Sequence, residues 1–170
     1  GCGPGAAAGV AVSGGRSEQI VKLNNGRWAV VLGNGVNSYN ERPVLLIQFL
    51  DGDRSLKRIV AHSTSRASNG LAPPRLIDLN GNGTVDIAYA GDLQGQLWKF
   101  VLSSKVDTDW GVSVWNGTTQ TCQDATTCVP LFVARDGASP ANAQPITTAP
   151  MWMNHPLGGV QIMFGTGQNI

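Results

Sequence analysis

The chain contains the stretch Asp78-Leu79-Asn80-Gly81-Asn82-Gly83-Thr84-Val85-Asp86, which runs directly into Ile87-Ala88-Tyr89-Ala90-Gly91-Asp92. In its first part, oxygen-bearing side chains recur at every second position, and the glycines between them allow the chain to curl tightly. Its second part is a short apolar run that ends in a glycine turn, which is typical of a β-strand. The stretch therefore predicts a loop that wraps several oxygens around one hard cation and then leads into a strand.

Five positions of this loop match the ligand pattern of a calcium-binding loop. The first, third and fifth positions fit the pattern D-x-[DN]-x-[DN]-G, the seventh offers its backbone carbonyl, and the ninth offers a second carboxylate. The candidate ligands are therefore Asp78, Asn80, Asn82, Thr84 and Asp86. Because only two of the five carry a carboxylate, we expect weak binding of Ca²⁺, with a dissociation constant of about 10⁻⁴–10⁻³ M.

Two other loop types fit parts of the same stretch. An EF-hand needs a bidentate Glu at the twelfth position and a helix after it, whereas this chain has Tyr89 there and an apolar, strand-like run. A hairpin turn without metal remains an alternative, because Asn-Gly pairs favour turns with positive φ unaided.

The composition favours a fold built from many short strands. The chain of 170 residues is long enough for one domain with a core, and it has 22 glycines, 9 prolines and only 14% charged residues. A net charge of +1 with scattered basic residues gives no field for nucleic acid, and no apolar run approaches the ~18 residues that a membrane span needs. The chain begins without Met and without a visible signal peptide, so we expect a piece of a larger, exported protein.

The cysteines bear on the cellular compartment. Cys122 and Cys128 flank a short polar loop, and no His or further Cys lies nearby in sequence to complete a zinc site. We favour a disulfide between them over two unrelated thiols, which implies an oxidising compartment. Cys2 is then left unpaired in a glycine-rich start.

The order of apolar runs and turns predicts the strands. We expect residues 1–17 to be a flexible lead-in and residues 18–170 to hold the folded part. A hairpin is predicted at residues 19–23 and 28–32 around a type I′-like turn at Asn24-Asn25-Gly26. Residues 103–145 read mostly as a loop insert anchored by Trp110 and Trp115. The other strands are predicted at residues 44–50, 56–60, 75–77, 85–90, 96–102, 149–153 and 160–164.

A motif recurs three times along the chain. Each copy has a turn glycine, a strand of five to seven residues and a glycine at the strand end, and an apolar strand precedes it. The three copies run through residues 26–35, 83–92 and 159–167. Repeated antiparallel units of this kind are typical of β-propeller blades, so we expect an all-β, partial β-propeller of about three to four blades. The alternative is a β-sandwich in which the hairpins match by coincidence.

These motifs closely resemble one known family. The run from Asp78 to Phe100 resembles the calcium loop and following hairpin of the PilY/PilC family, the type IV pilus tip adhesins and biogenesis factors. Residues 24–38 and 155–167 resemble two further signature strands of the same C-terminal β-propeller domain, in the same order. The resemblance spans residues 18 to 167, and the cysteine loop is its weakest part. The family commonly places more carboxylates in the loop than this chain does.

The resemblance implies a non-enzymatic function. It implies a protein exposed at the cell surface, at the pilus tip or in the periplasm and outer membrane, whose propeller binds Ca²⁺. It further implies that metal occupancy regulates pilus extension, retraction and twitching motility, with minor pilins and a host-cell surface as partners of the larger parent. By the same resemblance, Asp78, Asn80, Asn82, Thr84 and Asp86 are its metal ligands.

Two other propeller classes remain as alternatives. The run Gly91-Asp92-Leu93-Gln94-Gly95-Gln96-Leu97-Trp98 also resembles the strand repeats of quinoprotein dehydrogenases, but the adjacent cysteine pair often found in those enzymes is missing. Neither His62 nor His155 has a spacing that pairs it with an acid or a nucleophile. An integrin-like adhesion propeller is expected to have several calcium loops, and the sequence contains one.

Overall fold

The computed structural model describes residues 20–35, 38, 40–63, 69–114, 120–138 and 141–167. The predicted lead-in at residues 1–17, with Cys2, and the predicted anchor Trp115 lie outside these ranges. Within them the chain is almost entirely strand and loop, with a 3₁₀ turn at Asp107–Asp109, so the prediction of an all-β fold is confirmed. No helix in the described ranges is long and apolar enough to span a membrane.

The strands form three antiparallel sheets in the described part of the chain. The first has the order β1-β2-β3-β4, with β1 Ile20–Lys22, β2 Trp28–Gly33, β3 Val44–Phe49 and β4 Leu56–Val60. The second has the order β5-β6-β7-β8-β9, with β5 Arg75–Ile77, β6 Ile87–Gly91, β7 Gln96–Val101, β8 Gly111–Ser113 and β9 Thr121–Cys122, and β10 Phe132–Val133 also pairs with β7. The third is a hairpin of β11 Met151–Asn154 and β12 Val160–Met163.

The first seven strands lie within two residues of their predicted bounds. Alternation of buried and more exposed residues explains this agreement, as in β3, where Leu45, Ile47 and Phe49 are buried and their neighbours are not. The turn between β1 and β2 differs from the prediction. A type I′ turn needs positive φ at both central residues, whereas only Gly26 (φ 85°) has it here. The predicted type I′-like turn is therefore wrong, and the loop is a three-residue hairpin loop whose glycine is left-handed.

The region predicted as a loop insert, residues 103–145, contributes strands to the second sheet. These are the short strands β8, β9 and β10, and β8 and β10 both pair with β7. Trp110, predicted as an anchor of this region, is buried in the main core. Strands of two or three residues carry too little sequence periodicity to be recognised, and it is their pairing with the longer β7 that defines them.

The three sheets stack face to face. One face of the first sheet packs on the second sheet to form the main core, which includes Val31, Ile47, Ala88, Trp98 and Phe100. The opposite face of the second sheet packs on the third through Ile77, Ile87, Tyr89 and, on the hairpin, Trp152, Val160 and Ile162. The central sheet is thus covered on both sides, which is why all five residues of β6 are buried.

Two glycines allow neighbouring sheets to approach closely. A Cβ atom added at Gly33, the last residue of β2, would overlap the backbone carbonyl oxygens of Leu71 and Ala72. A Cβ atom added at Gly91, the last residue of β6, would overlap the side chain of Ile146 and lie 2.7 Å from its carbonyl oxygen. Neither glycine has a positive φ, so the lack of space for a side chain explains both.

We expect Gly91→Ala to destabilise the chain by about 1–3 kcal/mol, because its methyl group has to displace Ile146 from a well-packed position. Gly137→Ala is the matched control, since a Cβ atom there meets no atom within 4 Å and the φ is not positive. Urea unfolding of both variants measures the two free energies. Equal stability of the two variants would contradict the steric explanation.

Candidate metal-binding loop

The candidate loop, residues 78–86, connects β5 to β6 at one end of the central sheet. Its base is closed by a hydrogen bond of 2.9 Å from the Asp86 N–H to the carbonyl of Ile77. Gly81 and Gly83 both lie in the left-handed region, with φ of 73° and 88°. The tight curl that the sequence predicts for these glycines is therefore present, and it brings all five predicted ligand residues into one short loop.

Asp78 organises the backbone of the loop. Its side chain is fully buried, and its Oδ1 accepts N–H groups from Gly81 at 2.7 Å, Asn80 at 3.2 Å and Asn82 at 3.3 Å. Its Oδ2 accepts the N–H of Gly83 at 2.7 Å. Four backbone donors thus converge on one carboxylate, which stabilises the loop conformation.

The neutral candidates lie on the outer side of the loop. Asn80 and Asn82 are exposed, and each accepts the N–H two residues ahead, at 3.0 Å from Asn82 and 2.8 Å from Thr84. Exposed amide side chains can rotate toward a bound ion at little cost. The Thr84 hydroxyl lies within hydrogen-bonding distance of both Asn82 Oδ1 and, at 2.9 Å, Asn24 Oδ1.

Asp86 joins the loop to the first sheet. It is almost fully buried. Its Oδ2 accepts the N–H of Leu79, the residue after Asp78, at 2.9 Å, so this hydrogen bond joins the two ends of the loop. Its Oδ1 accepts a hydrogen bond of 3.1 Å from the Asn24 side-chain amide, which comes from the β1–β2 turn. The same amide lies 2.9 Å from the Val85 carbonyl and 3.1 Å from the Leu102 carbonyl. Asn24 is therefore part of the site, although its sequence pattern predicts only a turn residue.

The donor chemistry of the loop fits Ca²⁺. All five predicted ligands offer oxygen, which suits a hard cation better than the nitrogen and sulfur ligands of zinc sites. Neither Asp78 nor Asp86 takes part in the ion pairs present among the described residues, so both acids are buried without a basic partner. No group of three or more Asp, Glu, His or Cys side chains in those residues is arranged to hold a metal ion, so an ion bound at the loop would rely on neutral oxygens as well.

Asp92 is a third buried acid, and it is structural. Its carboxylate accepts the indole N–H of Trp98 at 3.0 Å and the backbone N–H groups of Gln94 and Gln96 at 2.9 Å, and the Asn69 amide lies at 3.5 Å. Burial raises the pKa of this carboxyl above its ordinary value, and these hydrogen bonds act in the opposite direction. Since its partners close the turn between β6 and β7, we assign Asp92 to the fold.

The predicted disulfide is confirmed. Cys122 and Cys128 are bonded, with their Cα atoms 5.6 Å apart. The bridge lies at the edge of the second sheet, where β9 ends at Cys122. It closes the polar loop between the two cysteines onto the buried Cys128.

Three antiparallel sheets stacked in series, with a repeated strand motif, are typical of a β-propeller. The family model described as the PilY1 beta-propeller domain matches residues 9–170, and the chain therefore belongs to that family.

Relatives support the same assignment. The chain is 39% identical over 154 residues to the type IV pilus biogenesis factor PilY1 of Pseudomonas aeruginosa, and the match covers 88% of this chain and 13% of that protein. It is 37% identical over 158 residues to a homologue of that factor in Xylella fastidiosa, covering 88% of this chain and 10% of that protein. The crystal structure of the C-terminal domain of Pseudomonas aeruginosa PilY1 matches with a TM-score of 0.72 and 35% identity, over 88% of this chain and 31% of that one. The chain thus spans about an eighth or less of these full-length relatives.

We expect Asn24→Ala to lower the free energy of unfolding by about 1–3 kcal/mol, because it leaves buried hydrogen-bonding groups of the loop unpaired. Asn80→Ala is the matched control, since it removes an exposed amide of the same loop and should change stability by less than about 0.5 kcal/mol. Both are measured by urea unfolding with a chelator present, so that bound metal plays no part. If the two variants lost the same stability, Asn24 would not hold the loop to the first sheet.

Proposed function

We propose that this chain is a calcium-binding, non-enzymatic β-propeller module of a type IV pilus biogenesis factor or tip adhesin. The observation that carries the proposal is the pair of buried carboxylates, Asp78 and Asp86, in an all-oxygen loop with no basic partner among the described residues. A cation would supply the charge that this loop lacks. Membership of the PilY1 propeller family, and similarity to relatives named type IV pilus biogenesis factors, support the pilus part of the proposal.

Asp78 and Asp86 would hold the ion together with the side-chain oxygens of Asn80 and Asn82 and the carbonyl of Thr84. Bound Ca²⁺ would contribute positive charge that offsets the repulsion between the two carboxylates. Ca²⁺ accepts six to eight flexible oxygen ligands, whereas Mg²⁺ requires near-octahedral geometry and releases its water reluctantly. The exposed, adaptable Asn80 and Asn82 therefore favour Ca²⁺ over Mg²⁺.

The loop is placed where an ion would affect more than the loop itself. Asp86 immediately precedes β6, its N–H closes the base of the loop, and its backbone carbonyl accepts the N–H of Leu102 after β7 at 2.8 Å. Asn24 extends the same network to the first sheet. Metal occupancy would thus stabilise the β6–β7 hairpin and the junction of two sheets. In the longer protein this is a physical basis for calcium control of pilus extension, retraction and twitching motility.

The partners and location follow from the same proposal. An exported protein at the cell surface or pilus tip would contact minor pilins and, through its other parts, a host-cell surface. The disulfide is consistent with an oxidising compartment. The alternatives, a quinoprotein dehydrogenase and an integrin-like propeller, receive no support from the family that matches the chain.

We expect Ca²⁺ to stabilise the chain by about 2.7 kcal/mol when free Ca²⁺ is a hundredfold above the dissociation constant, with a much smaller effect of Mg²⁺ at the same concentration. Asp86→Ala should abolish the Ca²⁺ effect, since it removes one of two carboxylates. The matched control is Asp136→Ala, because Asp136 is also a loop acid that accepts backbone N–H groups but lies outside the candidate site. Thermal unfolding with each ion measures the shifts. Equal shifts with both ions, or none with either, would refute the metal site.

The same pair of variants tests the pilus part of the proposal in bacteria. Asp86→Ala in the bacterium's own copy of the protein should disturb the balance of pilus extension and retraction, read as twitching-zone diameter and surface pilin. Asp136→Ala should leave both unchanged. If Asp86→Ala bound no Ca²⁺ in vitro and yet left twitching intact, the metal site would stand and its regulatory role would not.

A further inference from the structure

A cleft with a volume of about 690 Å³ opens at the β8–β9 edge of the second sheet. One side is formed by the end of β7 and the 3₁₀ turn, and the other side by β9 and the residues next to it. The cleft shares no residue with the candidate metal loop. Its size lies within the range of roughly 300–1,000 Å³ that is usual for small-molecule sites, so a disaccharide would fit.

Polar side chains form most of the lining of this cleft. Seven of the nine lining residues are Ser, Thr, Gln or Asp, and the two others are Val101 and Val114. Asp109 is the one acid, and the lining that the structure describes contains no Lys, Arg or His. An anionic ligand would meet only negative charge there, and an apolar ligand would meet only two valines. The lining therefore suits a neutral ligand that carries many hydroxyl groups.

Several lining side chains can make further hydrogen bonds. Among the described residues, the exposed hydroxyls of Ser103 and Thr108 have no protein partner. Asp109 accepts the Ser104 hydroxyl at Oδ2, at 2.8 Å, and its Oδ1 accepts from no group in the described part of the chain. Gln123 donates through Nε2, so its Oε1 is also available as an acceptor. Sugar hydroxyls both donate and accept, and these hydroxyl, carboxylate and amide groups complement them.

Contacts within the protein hold the two sides of the cleft in place. Trp110, which ends the 3₁₀ turn, is buried in the main core, and its indole N–H donates to the Ser104 carbonyl at 2.8 Å. The Thr121 hydroxyl and the Gln123 amide donate to the Asp109 carbonyl at 2.6 Å and 3.3 Å, which joins the turn to β9. The disulfide begins at the residue between these two. A site that is already ordered loses less conformational entropy when a ligand binds.

We propose that this polar cleft binds neutral carbohydrate. Ser103, Thr108 and the free oxygen of Asp109 recognise hydroxyl groups of a disaccharide unit, Gln123 accepts from a further hydroxyl, and Val114 contacts the apolar face of a sugar ring. The proposed function assigns surface contact to other parts of the longer protein, whereas this inference gives the propeller module a glycan site of its own. It does not depend on metal binding.

The test is an NMR titration of the ¹⁵N-labelled 170-residue protein with four neutral disaccharides, namely lactose, cellobiose, chitobiose and α-1,2-mannobiose. Each is added to about 10 mM, which saturates most of a site with a millimolar dissociation constant. Inorganic phosphate and spermidine serve as anionic and cationic comparison ligands. A chelator is present throughout, so that the candidate metal loop plays no part and the outcome does not bear on calcium binding.

We expect saturable shifts of the amide signals of residues 103–109 and 120–123 with at least one disaccharide and none with phosphate. Asp109→Asn should weaken this binding at least about tenfold, because a charge-assisted hydrogen bond is lost. Thr108→Ala should weaken it about threefold to tenfold and leave the melting temperature unchanged, since the hydroxyl is exposed and has no partner in the described part of the chain. Thr148→Ala is the matched control, because it removes an exposed hydroxyl outside the cleft and should leave the affinity unchanged.

Three results would overturn the proposal. The first is the absence of shifts in these residues with all four disaccharides. The second is equal affinity of the unchanged protein, Asp109→Asn and Thr108→Ala for a disaccharide, which would mean that the sugar acts outside the cleft. The third is tighter binding of spermidine than of any disaccharide, lost in Asp109→Asn, which would assign the cleft to a cationic ligand.

Discussion

The burial of two carboxylates at one end of the central sheet is the constraint on which the loop and its surroundings depend. Ionised acids are costly to bury unless hydrogen bonds or opposite charges compensate them. Asp78 is compensated by four backbone N–H groups, which requires the loop to curl around it and requires positive φ at Gly81 and Gly83. Among the described residues, Asp86 accepts from one backbone N–H and the Asn24 amide, so its carboxylate receives fewer hydrogen bonds than that of Asp78. We propose that a hard cation complements this arrangement.

The Asn24 side chain connects the loop to the first sheet, so the loop lies at a junction between two sheets. Its amide lies within hydrogen-bonding distance of the Val85 carbonyl before β6, the Leu102 carbonyl after β7 and the Asp86 carboxylate. The first and second sheets therefore share one polar network at this end. Elsewhere the sheets are held by apolar faces, by glycines that let backbones approach, and by hydrogen bonds such as the one from the Leu71 N–H to Asn34 Oδ1. Polar contacts and apolar stacking together fix how the described sheets follow one another.

Much of the fold could be predicted because its longer strands alternate buried and exposed residues and end at turns rich in glycine. The loop residues could be predicted because their ligand spacing is local in sequence. What the sequence could not give depends on contacts between distant residues. Asn24 lies more than 60 residues from Asp86 in sequence. The strands β8 to β10 are too short to show a hydrophobic period. The turn type at Gly26 depends on how β1 and β2 pair. The sequence around Asp92 predicts only a turn, because the burial of Asp92 depends on its contacts with Trp98 and Asn69.

We propose that a cation completes the loop and thereby stabilises the β6–β7 hairpin. Backbone hydrogen exchange across residues 76–100, measured with Ca²⁺ and with a chelator, tests it most directly. We expect slower exchange with Ca²⁺ in this region, little change across β3 and β4, and no effect of Ca²⁺ in Asp86→Ala. Identical protection of residues 76–100 with Ca²⁺ and with chelator would contradict it.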